Sequence, residues 1–97
     1  MKEFVVISKS NCPKCDDLKN WMKANKVSAY KEWKIEDQAV VQKLLANPEF
    51  VKTFCDVDGC VVYTPVIHKL EENKFYFKEL FGINGIRDKE VKKIIGL

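Results

Sequence analysis

The 97-residue sequence has little of what marks several specialised classes of protein: one histidine, four glycines and three prolines. Low glycine and proline contents exclude a collagen-like chain. No apolar run approaches the roughly 20 residues that a membrane-spanning helix needs, and we expect no membrane partner. No apolar segment typical of a secretory signal is present near the N-terminus, so we expect a cytoplasmic protein. The lysines are interspersed with acidic residues, and the net charge is only +3, which argues against nucleic-acid binding.

The chain does have enough apolar residues, 46% of the total, to build one core. Its length predicts a single domain over residues 1–97, and we expect a monomer. Four cysteines are present. In a reducing compartment they favour redox chemistry or metal binding over a framework of structural disulfides.

The hydrophobic pattern predicts four strands and three helices in the order βαβαββα. The strands are expected at residues 3–7, 29–35, 66–70 and 74–81. The helices are expected at residues 12–25, from 37 onward with an interruption at 47–48, and from 88 onward. Short connections make the first two strands parallel and the last two an antiparallel hairpin. We therefore predict an α/β fold with one four-stranded mixed sheet and helices on both faces.

Two cysteines separated by two residues, Cys12 and Cys15, open the first helix directly after the first strand. A thiolate is the reactive form of cysteine, and a helix N-terminus lowers the pKa of a thiol placed there. Cys12 is expected to be the exposed attacking sulfur, and Cys15, one turn later, the resolving sulfur. Lys9 and Lys14 add positive charge nearby. The alternatives are half of a metal site or two inert cysteines.

The segment Ser8–Cys15, with the sequence SKSNCPKC, resembles the active-site segment of glutaredoxins, a family of the thioredoxin-fold superfamily. The predicted element order matches this family along essentially the whole chain, although the family usually has an aromatic residue where Lys14 stands. The resemblance implies a thioredoxin-like fold and a thiol–disulfide oxidoreductase that reduces protein disulfides or glutathione mixed disulfides. It implies no bound cofactor, glutathione as co-substrate, and glutathione or a thioredoxin reductase as electron donor.

Two further segments resemble glutaredoxin motifs that contact the substrate. The family has a Thr-Val-Pro whose proline is cis and faces the cysteines, and Thr64 and Pro65 occupy the similar place, with the threonine one position later. The family also has a Gly-Gly turn followed by an aspartate that helps to hold glutathione. Gly85 and Asp88 match it, with Asn84 in place of the first glycine. Asp88 has an alternative role as the N-cap of the last helix. The hairpin between the two motifs is longer than is usual in the family.

Cys55 and Cys60 lie outside the family pattern, and three interpretations stay open. They are free thiols, or they form a second, regulatory or relay disulfide, or they join Cys12 and Cys15 in a zinc or iron–sulfur site. The third interpretation makes the chain a metal-binding module, and a purely structural adaptor is a further alternative. The single histidine, His68, has no adjacent catalytic partner in the sequence and is expected on a strand surface.

Overall fold

The computed structural model describes residues 3–97, which form four helices and eight strands. The helices are α1 (Pro13–Ala24), α2 (Gln38–Leu45), α3 (Pro48–Phe54) and α4 (Asp88–Ile95). The strands are β1 (Phe4–Ser8), β2 (Lys31–Lys34), β3 (Cys55–Asp56), β4 (Gly59–Cys60), β5 (Val66–Lys69), β6 (Lys74–Tyr76), β7 (Phe81–Gly82) and β8 (Gly85–Ile86). Within these residues, no helix combines the length and apolar character that a membrane span requires.

One four-stranded sheet lies at the centre of the fold, with the strand order β2-β1-β5-β6. β1 runs parallel to β2, with Val6 opposite Glu32, and antiparallel to β5, with Val6 opposite Ile67. β5 and β6 form an antiparallel hairpin. The predicted α/β fold with a mixed four-stranded sheet is therefore confirmed.

Both faces of the sheet are covered, because successive side chains of β1 point to opposite sides and all five of its residues are buried. On one face, α1 and α4 close a first core. Its buried members are Phe4, Val6, Leu18, Met22, Val27, Ile67, Leu80, Val91, Ile94 and Ile95. On the other face, α2 and α3 close a second core. Its buried members are Val5, Ile7, Val40, Leu44, Phe50, Phe54 and Val66.

The described chain has four helices where the predicted order had three, because the interruption predicted at residues 47–48 divides the second helix into two, and Pro48 opens the second piece as expected. Proline lacks an N–H and clashes with the preceding helical turn, so α2 ends before Pro48 and a new helix begins there. The Asn47 side chain caps α3 by accepting hydrogen bonds from the N–H groups of Glu49 and Phe50. Asp37 caps α2 as predicted, by accepting from the N–H of Ala39 at 2.9 Å.

The fourth predicted strand, residues 74–81, is wrong in its second half. β6 ends at Tyr76, a turn follows, and Phe81 begins the separate hairpin of β7 and β8. Phe77 packs against the second core, whereas Leu80 is buried in the first. The chain crosses from one face of the sheet to the other between these residues, so it cannot continue as one strand.

Candidate functional site

Cys12 and Cys15 form a disulfide at the N-terminus of α1. Cys12 is the N-cap residue, and its Sγ atom accepts a hydrogen bond from the N–H of Cys15 at 3.1 Å. Because Pro13 has no N–H, the first backbone donors that α1 offers come from Lys14 and Cys15. The sulfur of Cys12 therefore lies at the positive end of the helix dipole.

The prediction of an exposed Cys12 is wrong for this disulfide form, since only 6% of its surface is exposed. The residue lies under Thr64, whose Oγ1 and carbonyl oxygen are 3.6 Å and 3.9 Å from its Sγ. Its close neighbours are thus polar groups. Cys15 has no exposed surface at all, so any reagent that approaches from solvent meets Cys12 first.

The sheet brings Thr64 to the disulfide although 52 residues separate it from Cys12. Val66 of β5 pairs with Ile7 of β1, so the residues just before β5 lie beside the loop that follows β1. The peptide bond between Thr64 and Pro65 is cis, as the resemblance implied. Both oxygens that lie near the sulfur belong to Thr64.

The two predicted lysines differ in their surroundings, although both are exposed. The amino group of Lys14 lies over the ring of Phe81, 5.7 Å from its centre. Lys9 belongs to the loop between β1 and α1, where the N–H of Ser10 donates to Glu36 at 2.8 Å. Hydrogen bonds from Ser10 hold the pKa of the Glu36 carboxyl below its usual value. A carboxylate therefore offsets part of the positive charge near Lys9.

A groove of about 530 Å³ runs beside Thr64 and Pro65. Its walls carry the rings of Tyr63, Phe77 and Phe81 and the amino groups of two lysines, Lys14 and Lys78. Tyr63 stacks on Phe77 with 5.6 Å between the ring centres, and the amino group of Lys78 lies 5.7 Å from the centre of the same Phe77 ring. None of the residues that line this groove is acidic.

Sequence reasoning did not identify five of the groove residues: Thr53, Tyr63, Phe77, Lys78 and Phe81. The unusual length of the hairpin between the two family-like motifs was the available signal. That extra length forms the turn after β6, and the turn supplies the groove with Phe77 and Lys78.

Among the described residues, no hydrogen bond or ion pair joins Gly85 or Asp88 to Cys12. Gly85 follows the tight turn between β7 and β8 with a φ of 104°, a conformation that favours glycine. The N-cap of α4 is Arg87, without a side-chain hydrogen bond, so the capping role suggested for Asp88 is wrong. Asp88 instead accepts a hydrogen bond from the indole of Trp21 at 2.7 Å and pairs with Lys92 at 3.2 Å.

The contact with Trp21 holds Asp88 beside the last turn of α1. The hydrogen bond from Trp21, followed by that from Lys92, lowers the pKa of the Asp88 carboxyl. Trp21 lies nine residues after Cys12, about 13 Å along the helix axis. A ligand that touched both Cys12 and Asp88 would therefore have to extend along the side of α1.

Cys55 and Cys60 form a second disulfide, across the hairpin of β3 and β4. Of the three interpretations that the sequence left open, the structure therefore shows the second, a disulfide between Cys55 and Cys60. The four cysteines form two separate pairs, Cys12 with Cys15 and Cys55 with Cys60. In the part of the chain that the structure describes, no three histidine, cysteine or acidic side chains are grouped to hold a metal ion.

The prediction that His68 lies on a strand surface is wrong, because the residue is 5% exposed. β5 lies between β1 and β6 with helices on both faces, so it has no solvent-facing side. The imidazole stacks on Phe75 with 4.1 Å between ring centres, and its Nε2 lies 3.1 Å from the Oδ1 of Asn73. Burial lowers the pKa of His68.

A scan against protein-family models found none that matches this chain, and a search among curated proteins also found no match. The chemistry of the site is therefore inferred from its geometry and from the sequence motifs.

Proposed function

We propose that this chain is a glutaredoxin-like thiol–disulfide oxidoreductase in which Cys12 and Cys15 are the catalytic residues. The observation that carries the proposal is the position of the Cys12 sulfur. It accepts the N–H of Cys15 at the N-terminus of α1 and lies against Thr64. A negatively charged sulfur in this position is stabilised by the backbone donor and by the helix dipole.

The order of the sheet strands supports a thioredoxin-like fold. Over residues 3–97, β1 lies inside the sheet and runs parallel to β2, and β5 and β6 follow as an antiparallel hairpin. This is the arrangement that the resemblance implies, with helices on both faces. The division of the second helix and the two short hairpins, β3–β4 and β7–β8, are additions to that plan.

In the proposed reaction, the thiolate of Cys12 attacks one sulfur of a substrate disulfide. The other substrate sulfur leaves as a thiolate and takes a proton from water. The thiol of Cys15 then loses its proton and attacks Cys12, which releases the second substrate sulfur and leaves the Cys12–Cys15 disulfide. Two electrons pass from the protein to the substrate.

The difference in exposure between Cys12 and Cys15 also decides which sulfur is attacked when the disulfide is reduced again. A glutathione thiolate attacks Cys12, because Cys15 has no exposed surface, and Cys15 leaves as a thiolate. A second glutathione attacks the glutathione sulfur of the mixed disulfide, which gives glutathione disulfide and free Cys12. A dithiol of thioredoxin reductase is the alternative electron donor.

The groove beside Thr64 and Pro65 is the proposed binding site for the substrate. Its aromatic walls and its two lysines suit an extended segment that carries carboxylates, as glutathione does. Asp88 is proposed to contact the glutathione amine. A carboxylate has about four acceptor sites, so Asp88 can accept a further donor beside Trp21 and Lys92.

Serine substitutions at the two cysteines test the proposal. Serine is a good N-cap residue, so Cys12→Ser removes the nucleophile while α1 keeps its cap. We expect Cys12→Ser to lose activity by at least about a thousandfold, in line with loss of a covalent nucleophile. Cys15→Ser is expected to trap mixed disulfides and to keep activity on glutathionylated peptides. Reduction of insulin and of a glutathionylated peptide are the two assays.

The matched control is Ser28→Ala, at an exposed position outside the groove, which should behave like the unmodified protein. Normal turnover by Cys12→Ser would remove the proposal. Stoichiometric zinc or iron in protein purified without air, together with no reductase activity, would instead favour the metal-binding alternative.

A further inference from the structure

The Cys55–Cys60 disulfide has no part in the proposed catalytic cycle. We propose that it is a second thiol–disulfide exchange site, which small uncharged or cationic thiols attack at Cys60. The two cysteines are directly opposite each other in a hairpin whose strands, β3 and β4, contain only two residues each. The proposal is independent of the chemistry at Cys12.

The two sulfurs of this pair differ in their access to solvent. Cys60 is exposed, and so are the neighbouring residues Val57 and Val61, with 101% and 60% exposure. Cys55 is only half-buried, but it packs against the second core. A thiolate must approach the sulfur that it attacks from the side opposite the departing sulfur. Cys60 is the more exposed residue of the pair and borders an apolar pocket beside α2, whereas Cys55 packs against the second core. A thiolate from solvent therefore reaches Cys60 more easily than Cys55.

Hydrogen bonds and a glycine suited to the turn stabilise the hairpin in addition to the disulfide. The carboxylate of Asp56 accepts the N–H of Asp58 at 2.8 Å, Gly59 has a φ of 129° that suits the turn, and the N–H of Val61 donates to the carbonyl of Phe54 at 2.9 Å. The disulfide closes a short loop, and the entropic stabilisation from a cross-link falls as the loop shortens. Exposed disulfides are commonly the labile or regulatory ones. A purely structural role is therefore the weaker explanation.

The hairpin that carries this disulfide is acidic, whereas the groove beside Cys12 has two lysines. Lys52, in the last turn of α3, is the nearest basic residue along the chain before Cys55. Residues 55–63 include two carboxylates, Asp56 and Asp58, and no basic side chain, and both carboxylates are exposed. An anionic thiol such as glutathione is repelled there, whereas an aminothiol is attracted. At the catalytic pair, Lys14 and Lys78 favour the anionic thiol instead. The chain thus presents two disulfides to thiols of different charge.

The exchange balances in two steps. The thiolate RS⁻ attacks Sγ of Cys60, the bond to Cys55 breaks, and Cys55 leaves as a thiolate that takes a proton from water. A second RS⁻ attacks the outer sulfur of the mixed disulfide and releases RSSR and the thiolate of Cys60, which is also protonated. The protein disulfide gains two electrons, and two RSH are oxidised to RSSR.

The test uses the full chain with both catalytic cysteines replaced, Cys12→Ser/Cys15→Ser, so that one disulfide remains. It is treated with cysteamine, mercaptoethanol or glutathione at low salt, quenched with acid, alkylated and mapped by mass spectrometry. We expect the mixed disulfide on Cys60 and a circular dichroism spectrum that stays native. At equal thiolate concentration, cysteamine should react fastest and glutathione slowest.

The matched variant adds Asp56→Asn and Asp58→Asn, since asparagine at position 56 can still form the same turn. Loss of each carboxylate should reduce the preference for cysteamine over glutathione by roughly sevenfold, the effect in water of a unit charge about 7 Å away on two thiolates whose net charges differ by two. Salt at about 0.5 M should reduce this preference by a similar factor, because it screens the same charges.

Three results would overturn this second site: reduction only when the spectrum shows unfolding, an adduct on Cys55, or glutathione as the fastest thiol regardless of the two aspartates. Because the variant lacks Cys12 and Cys15, these results are independent of the proposed reductase activity. Normal reductase turnover by Cys12→Ser would remove the proposed function but would leave the exchange site at Cys60 unaffected.

Discussion

At the scale of single residues, the surroundings of each sulfur decide its chemistry more than the type of residue does. Cys12 and Cys60 are both cysteines in disulfides. Cys12 is almost covered but lies among a backbone donor and the two oxygens of Thr64. Cys60 is exposed on a hairpin that also carries the carboxylates of Asp56 and Asp58. The first arrangement suits a stabilised thiolate, and the second suits a sulfur that solvent thiols can reach.

His68 provides a prediction at this scale, because burial lowers its pKa below the usual 6.5. The folded state favours the neutral imidazole, so as the pH falls below 6.5 the unfolded chain binds a proton first. The free energy of unfolding should therefore be unaffected by His68 above about pH 7 and should decrease as the pH falls from 6.5 toward the lowered value. Urea unfolding between pH 5 and 8 measures this.

The control for the pH prediction is His68→Phe, which keeps a ring against Phe75 and cannot titrate. The difference in stability between the two proteins isolates the histidine from the carboxylates. An NMR titration of His68 with a midpoint at or above 6.5 would contradict the prediction, as would an identical pH dependence in both proteins.

At the scale of elements, the short turn after β6 does more for the groove than any strand or helix. It supplies Phe77 and Lys78, while the first turn of α1 supplies Lys14 and the segment before β5 supplies Tyr63. Three pieces of chain that are distant in sequence thus build one aromatic, positively charged surface beside Cys12.

The two groove lysines provide the prediction at this scale. Lys14→Gln and Lys78→Gln should each raise the KM for a glutathionylated peptide by roughly two- to fivefold, with little change in kcat, since each removes one exposed charge contact. Steady-state kinetics at low and high salt measure this effect, which should disappear at high salt. Lys31→Gln, at an exposed position on β2, is the control. A loss confined to kcat, or an equal effect of Lys31→Gln, would contradict the role.

The cap of α3 provides a second prediction for an element. Asn47 accepts the N–H groups of Glu49 and Phe50, and its side chain also contacts Asn73 in the turn before β6. Asn47→Ala should lower the free energy of unfolding by about 1 kcal/mol, as loss of an N-cap typically does. Urea unfolding compares it with Gln42→Ala, an exposed change on α2. An effect no larger than that of Gln42→Ala would show that the cap contributes nothing.

At the scale of the whole molecule, one sheet lies between two hydrophobic cores. α1 and α4 pack on the side of Phe4 and Val6, and α2 and α3 pack on the side of Val5 and Ile7. The candidate catalytic disulfide lies where β1 leads into α1, and the second disulfide follows α3. Each disulfide therefore belongs to a different face of the sheet.

This separation predicts additive mutational effects. Ile95→Val removes a methylene from the first core and should cost about 1 kcal/mol, while Leu44→Ala in the second should cost about 2–5 kcal/mol. The double variant should show the sum to within about 0.5 kcal/mol, because the sites lie on opposite faces. Urea unfolding of the four proteins completes the cycle. A coupling energy well above that limit would mean that the sheet transmits packing changes between the cores.

Local features were the ones that sequence alone determined. The cap at Asp37, the proline at the first position of α1 and the buried β1 all depend on neighbours within a few residues. Short connections also predicted the parallel pair β1–β2 and the hairpin β5–β6, but not the pairing of β1 with β5. The placement of two cysteines at the N-terminus of α1 belongs to this group, because a helix boundary is a local property.

Tertiary structure alone decided the features that depend on residues far apart in the chain. It covered Cys12 with Thr64, paired Cys55 with Cys60, buried His68 and turned Asp88 toward Trp21. Each of these outcomes follows from which elements the sheet and its two cores bring together. The spacing of residues along the sequence does not specify these contacts, because burial and long-range contacts depend on how the whole chain packs.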